Sequence, residues 1–276
     1  MSNWETIFFW AALVTYAISC GGFIYSIVFK NPRALPKLTC LVAIGLVAHS
    51  AAIASRFYAT GHLPWSGDYE YSLMGGWFIV AASVWIGVRN KGLQPLAAAT
   101  VPLVVVMMGY GVMRHPALTP MAASLKTNWL YIHVYFAWLA FCSYTLAMAA
   151  SVLFLLKEKG GAGEHPLYDR FPSLERLDEL IFRYLVFGFI TNSIMLVAGS
   201  IWAEGLWGSY WNWDPVETWS LISYLVYAIA IHLRVAMGWR GAKLAWMMVI
   251  ALSTVVISFF GVTFVVNTSL HVFQVR

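Results

Sequence analysis

The stretch Thr127-Asn-Trp-Leu-Tyr-Ile-His-Val-Tyr-Phe-Ala-Trp-Leu-Ala-Phe-Cys-Ser-Tyr-Thr-Leu-Ala-Met-Ala-Ala-Ser-Val-Leu-Phe-Leu-Leu156 holds no Asp, Glu, Lys or Arg. A helix crosses the hydrocarbon core of a bilayer with roughly 20 apolar residues, so this stretch alone exceeds one crossing. Working outward from it, further uncharged windows lie at Thr6–Phe29, Leu38–Ser55, Tyr71–Val88, Gly92–Met113, Tyr184–Ala203, Thr218–Leu233 and Leu244–Val275. The whole chain of 276 residues is 61% hydrophobic and 11% charged. Soluble domains sit near ~45–50% and ~25%. A disordered chain needs low hydrophobicity and high charge, the opposite balance. The expectation is an all-α polytopic bundle, one integral-membrane domain over 1–276. Its eight spans fall at about 6–29, 38–59, 71–88, 92–113, 128–156, 183–203, 218–237 and 244–266.

Charge sets the orientation. Placing the N-terminus outside puts every Lys and Arg of the 17 on the cytoplasmic side except Arg56, Arg114, Lys126 and Arg276. Inner loops carry the excess of basic residues, so the split predicts N-out, C-out. The net charge of +5 is then a matter of topology and calls for no nucleic acid. No basic region or small-residue cleavage site precedes the first span, which is read as a retained helix. Cys20, Cys40 and Cys142 all fall inside spans with no Cys-x-x-Cys among them, which argues against a thiol oxidoreductase and against a c-type cytochrome. In the long inner loop, Ser173 follows Pro172 as an N-cap. Leu174, Leu177 and Ile181 then share a helical face, which predicts a short interfacial helix.

The outer loop 204–219 stands apart. The run from Trp202 to Trp219 holds Trp202, Trp207, Trp211, Trp213, Trp219 and Tyr210, interleaved with Glu204, Asp214, Glu217 and no base. One or two interfacial Trp are ordinary belt residues; this density is not. Were residues 207–219 partly helical, Trp207, Trp211 and Asp214 would share a face, making a flat apolar shelf ended by a carboxylate. Such a shelf suits a large planar ligand.

Histidines sharpen the ligand. His133 lies near the outer end of span five and His271 just past span eight, on the same side as the loop. Two imidazoles facing an apolar shelf are what an iron porphyrin takes as axial ligands, although either one alone is more often an interfacial or helix-packing residue. His232 lies ~20 Å down its helix from Trp219, inside the membrane, where an ionisable residue marks a functional site. His49 lies near mid-membrane in span two and is either its partner or a helix-to-helix hydrogen bonder. Arg56, near the outer end of the same span, is a candidate for a haem propionate or a simple helix-end charge.

The run Trp207-Gly-Ser-Tyr-Trp-Asn-Trp-Asp-Pro-Val-Glu-Thr-Trp-Ser220 closely resembles the tryptophan-rich WWD signature of the haem-handling protein family. Its Asp-Pro-x-Glu-Thr-Trp-Ser ending is similar to the CcsA (ResC) branch of system II cytochrome c biogenesis, not the CcmC branch. The resemblance covers about Trp129 to His271 well and the first four spans loosely. His133, His232 and His271 fill the histidine places of that pattern in order, and Val216 departs from it where Lys is usual. The resemblance implies the haem-handling half of a cytochrome c synthase of the lyase type, working with a CcsB (ResB) membrane protein. It implies bound haem b at His133 and His271 against Trp207, Trp211, Trp213, Asp214 and Trp219, with Tyr210 and Glu217 as lesser contacts. It implies apocytochrome c with its Cys-x-x-Cys-His motif as client, thiol-reducing proteins as further partners, and the bilayer around it. No residue is assigned as nucleophile; Asp214 is placed to orient the loop or assist protons. The expected location is the bacterial cytoplasmic membrane, active face outward, or the thylakoid membrane in a plastid. A CcmC-type haem delivery protein, a b-type electron carrier and a transporter without haem are the rival classes.

Overall fold

A computed structural model describes residues 1–65, 67–114, 118, 121, 125–160 and 165–265, with the side chains of 263 and 264 excepted. Among them the regular structure is entirely helical. The long helices are α1 (Asn3–Val28), α2 (Leu35–Thr60), α3 (Gly67–Arg89), α4 (Leu96–Met113), α5 (Asn128–Gly160), α6 (Leu174–Trp207), α7 (Pro215–Ala236) and α8 (Ala242–Val256). A π-helical turn, Ile257–Gly261, and a last turn, Val262–Val265, continue α8. Eight segments are long and apolar enough to cross a membrane. The fold class is therefore as the composition predicts.

Neighbour relations divide the helices into two rings of four. In the first, α1 packs on α2 and α4, and α3 on α2 and α4; in the second, α5 and α7 each pack on α6 and α8. The rings join where α5 lies against α3 and α4. With no water to drive association in lipid, close packing needs small residues. A Cβ added at Gly188 would meet the Tyr144 ring at 2.6 Å, and one at Gly45 the Tyr16 ring at 2.5 Å. These glycines let large aromatics lie flat against a neighbouring backbone. The α5 span is 72% buried and the α7 span only 17%, so α7 is the least enclosed helix.

Charge clusters close both ends of the bundle. At the end that carries residues 204–219, Arg56 reaches Glu70 at 2.9 Å and Glu5 at 3.5 Å, tying α2 to α3 and α1. Glu5 also completes the cap of α1, its amide bonded to Ser2 Oγ and its carboxylate to the Ser2 amide. At the opposite end Asp178 takes two bonds from the Arg234 guanidinium, 3.0 and 2.6 Å, and one from the Gly241 amide at 2.8 Å.

Two expectations change. The segment from Ser173 is no separate interfacial helix but the first turns of the 34-residue α6. Ser173 does cap it, accepting from the Arg176 amide at 3.2 Å. Leu177 and Ile181 are fully buried and no proline interrupts the run to Trp207, so the helix continues into the bundle. The second change concerns 207–219. The helix stops at Trp207 and resumes at Pro215, so Trp207, Trp211 and Asp214 do not share a helical face.

Candidate functional site

The loop owes its shape to caps at both sides. Gly208 adopts the left-handed conformation (φ 72°) and its amide returns to Glu204 O at 2.8 Å, which ends α6. Asp214 is the N-cap of α7, accepting from the Val216 amide at 2.9 Å, and Pro215 fits the first helical position. Glu217 reaches back to accept from the Asp214 amide at 3.3 Å and the Asn212 amide at 2.8 Å. The Asp-Pro-x-Glu run is therefore a capping box. Asp214 and Glu217 are both buried, so the two acids of the signature fold the loop from beneath.

What the loop presents is aromatic. Trp213 sits at φ 56°, a left-handed conformation costly for a bulky residue, and is 71% exposed. Trp211 lies edge-on to it, centroids 5.9 Å apart at 87°, and its buried Nε1–H has no acceptor among the described residues. Tyr210 is exposed, and Trp207 and Trp219 are half-buried. Trp207 meets Trp202 at 5.2 Å.

His133 stands beside Trp202, which in turn meets Trp207. Its Nδ1 lies 2.8 Å from the Met195 carbonyl, which only accepts, so Nδ1 carries the proton and Nε2 is the nitrogen with a lone pair. Metal-binding imidazoles are commonly oriented by such a bond. The ring lies near-parallel to Trp202 at 6.4 Å. It fits only because residue 199 is glycine, where a Cβ would stand 2.4 Å from Nδ1. Behind it a small aromatic core gathers Trp202, Trp138, Leu130 and Val134, with Trp65 tilted in from the α2–α3 loop, 5.2 Å from Trp138. The Nδ1–H imidazole and the near-parallel Trp202 ring beside it fit one face of an iron porphyrin.

The other candidates lie elsewhere. His271 is outside the described residues. His232 is on α7 but exposed, in line with Ile222, Leu225 and Ile229 on the outward stripe of the helix. His49 is fully buried in the first ring, its Nε2 2.9 Å from Leu73 O and its Nδ1 3.3 Å from Tyr16 OH. The carbonyl fixes the proton on Nε2, so Tyr16 donates to Nδ1 and both nitrogens are used. His49 and His232 thus sit in different rings, one satisfied and one facing outward. Arg56 is buried between Glu5 and Glu70, engaged with protein carboxylates.

Sequence reading missed Met195, Gly199, Trp65 and Trp138. The first two are more than sixty residues from His133 and carry no chemistry of their own. Trp65 and Trp138 read as ordinary membrane aromatics.

Comparison with known proteins places these residues in context. The model of a family described as cytochrome c assembly protein matches residues 65–270, which takes in Trp65, His133 and the loop. The CcsA cytochrome c biogenesis protein of Porphyra purpurea is 28% identical, over 87% of this chain and 88% of its own length. That of Synechococcus elongatus is 27% identical over 86% and 87%, and that of Chlamydomonas reinhardtii 31% over 78% and 62%. Among solved structures, the cytochrome c haem lyase CcmF superposes with a TM-score of 0.74 at 17% identity. The overlap covers 94% of this chain and 47% of that one, a likeness of fold.

Proposed function

Because the chain belongs to the cytochrome c assembly protein family, we propose that it is the haem-handling subunit of a cytochrome c synthase of CcsA type. In this reading haem b is the substrate, held at the loop end by His133 and His271 as axial ligands and by Trp207, Trp211, Trp213 and Trp219 through contact area. Tyr210 lies at the rim, and Asp214 and Glu217 hold the loop in shape. That end faces away from the cytoplasm, N-out and C-out, in a bacterial cytoplasmic or thylakoid membrane. The client is apocytochrome c, whose two Cys-x-x-Cys-His thiols add across the haem vinyl groups, each S–H proton ending on a vinyl carbon. A CcsB-type membrane protein is the partner, and thiol-reducing proteins supply the client in reduced form. The chain contributes position: holding reactants together removes several kcal/mol of barrier without any nucleophile of its own.

One observation carries the reading. His133 is held as the Nδ1–H tautomer by the Met195 carbonyl, in a notch that only glycine at 199 leaves open. A histidine serving helix packing alone does not need the glycine. His232 extends the proposal, because an imidazole on the outward stripe of α7 is costly against lipid. It is assigned to a second haem whose other ligand comes from the partner subunit, not from His49. A b-type electron carrier is disfavoured by His49, since both its nitrogens are occupied.

The test is co-expression with a CcsB-type partner and an apocytochrome. His133→Ala should abolish holocytochrome formation and lose the bis-histidine absorbance at the outer site, and added imidazole should restore both in part. Undiminished holocytochrome in His133→Ala would end the assignment.

A further inference from the structure

The inward face of α7 carries polar side chains in its first half, before Tyr227 and Ala230 enter the hydrophobic core. Ser223 and Tyr227 are buried on it, and Ser220, the last residue of the tryptophan-rich run, lies one turn above. Facing them, between α5, α6, α7 and the π-helical turn after α8, is a cavity of about 10 Å³. Its polar lining is Tyr144, Asn192, Ser220, Ser223 and Ser258. The rest of the lining is apolar, and a space of this size holds one water molecule where it finds two to four polar partners. The hydrogen bonds already made leave such partners over. Asn192 Nδ2 donates to Tyr144 OH at 3.3 Å, which leaves the Tyr144 proton and Asn192 Oδ1 unmatched among the described residues. Ser220 and Ser258 share one bond at 3.1 Å, so one of their two protons is spare. Ser223 donates to Ser220 O at 2.9 Å and its oxygen accepts nothing. Two surplus donors and two surplus acceptors surround one water-sized space. The π turn, Ile257–Gly261, sets Ser258 at the cavity; such turns interrupt the regular ladder and recur at functional sites.

We propose that this cavity is a binding site for water, which accepts from Tyr144 and a serine hydroxyl and donates to Asn192 and Ser223. At this level α7 is thereby joined to the bundle through a bridged polar seam, beside the ring stacks of Tyr227 on Tyr144 and Tyr224 on Phe189. At this seam the contact of α7 is exchanged at lower cost than an apolar one, since a bridging water keeps both sides hydrogen-bonded. The inference is independent of any haem assignment.

Hydroxyl-radical footprinting of the purified full-length chain in nanodiscs tests it, because radicals formed at bound water label the side chains beside it. Met195 lines the cavity and is 6% exposed; Met107 and Met248, at 3% and 1%, lie in apolar surroundings. Met195 and Tyr144 should be modified several-fold more than Met107, Met248 and the equally buried Tyr16. Asn192→Leu, which removes an acceptor and fills the space, should bring Met195 down to the level of Met248 while leaving Trp213 unchanged. Ser223→Ala, a milder loss, should lower Met195 part way and serves if the leucine variant does not fold. Equal modification of the three methionines overturns the proposal, as does labelling of Met195 that persists through both substitutions.

Discussion

At the scale of single residues, the imidazole of His133 and the absent side chain of residue 199 are one device. Gly199→Ala sets a methyl 2.4 Å from Nδ1, so the ring must leave the Met195 carbonyl. Losing such an orienting partner lowers metal affinity about 10–100-fold. We expect haem retention to fall by that factor while the thermal midpoint of the chain changes little, because His133 is only half-buried. Added imidazole should recover the spectrum. Retention equal to the parent protein would show that the notch is incidental. Trp213 poses the converse case, a residue held in an unfavourable backbone conformation and exposed. Trp213→Gly should raise the thermal midpoint slightly, because glycine adopts positive φ without strain. It should loosen haem by about one to two decades, the worth of one aromatic side chain, ~1.5–3 kcal/mol. If both haem affinity and stability are untouched, the exposed ring is only an interfacial anchor.

At the scale of elements, the loop stands or falls with its cap. An N-cap replaced by alanine costs about 0.5–2 kcal/mol, whereas asparagine caps as well as aspartate. Asp214→Ala is therefore expected to loosen residues 208–214, raising their proteolysis and lowering holocytochrome yield, while Asp214→Asn keeps both near the parent level. Comparable loss in the two variants would mean the carboxylate charge itself is used. This element also shows why part of the site was legible in sequence. Asp-Pro-x-Glu is a capping signature readable from spacing alone, yet taken among so many tryptophans it reads as ligand chemistry. The aromatic density and the placement of His133 beside it were readable from composition and span arithmetic. Met195 and Gly199 were not, because their role is geometric and exists only once α5 and α6 lie together.

At the scale of the whole molecule, eight hydrophobic stretches emerged from the sequence because lipid leaves a helix little choice. Some of their ends were drawn short where a charged residue lay inside a helix. Span two took in Arg56 as a propionate partner or a helix-end charge, yet in α2 that guanidinium is buried between two carboxylates. Arg183 closed span six, yet α6 begins at Leu174 and buries Asp178 against Arg234. Pairing across helices makes such charges admissible, and pairing is invisible to a window count. Orientation is a separate question with its own measurement. Cysteine introduced at position 209 should react with an impermeant maleimide in intact cells, and cysteine at 159 only after permeabilisation. The reverse pattern would invert the molecule and place the tryptophan-rich loop in the cytoplasm.

One continuous helix, α7, begins at the tryptophan-rich loop and carries His232 four residues before its end, ~20 Å below Trp219. It is also the rod least gripped by its neighbours. Occupancy at its two ends is then a matter of leverage: whatever clamps the outward imidazole biases the pose of the loop, and whatever fills the loop biases the imidazole. Linkage makes that influence equal in both directions, the same factor read from either end. Under the proposed function, a cargo arriving at one end would be felt at the other along α7 itself.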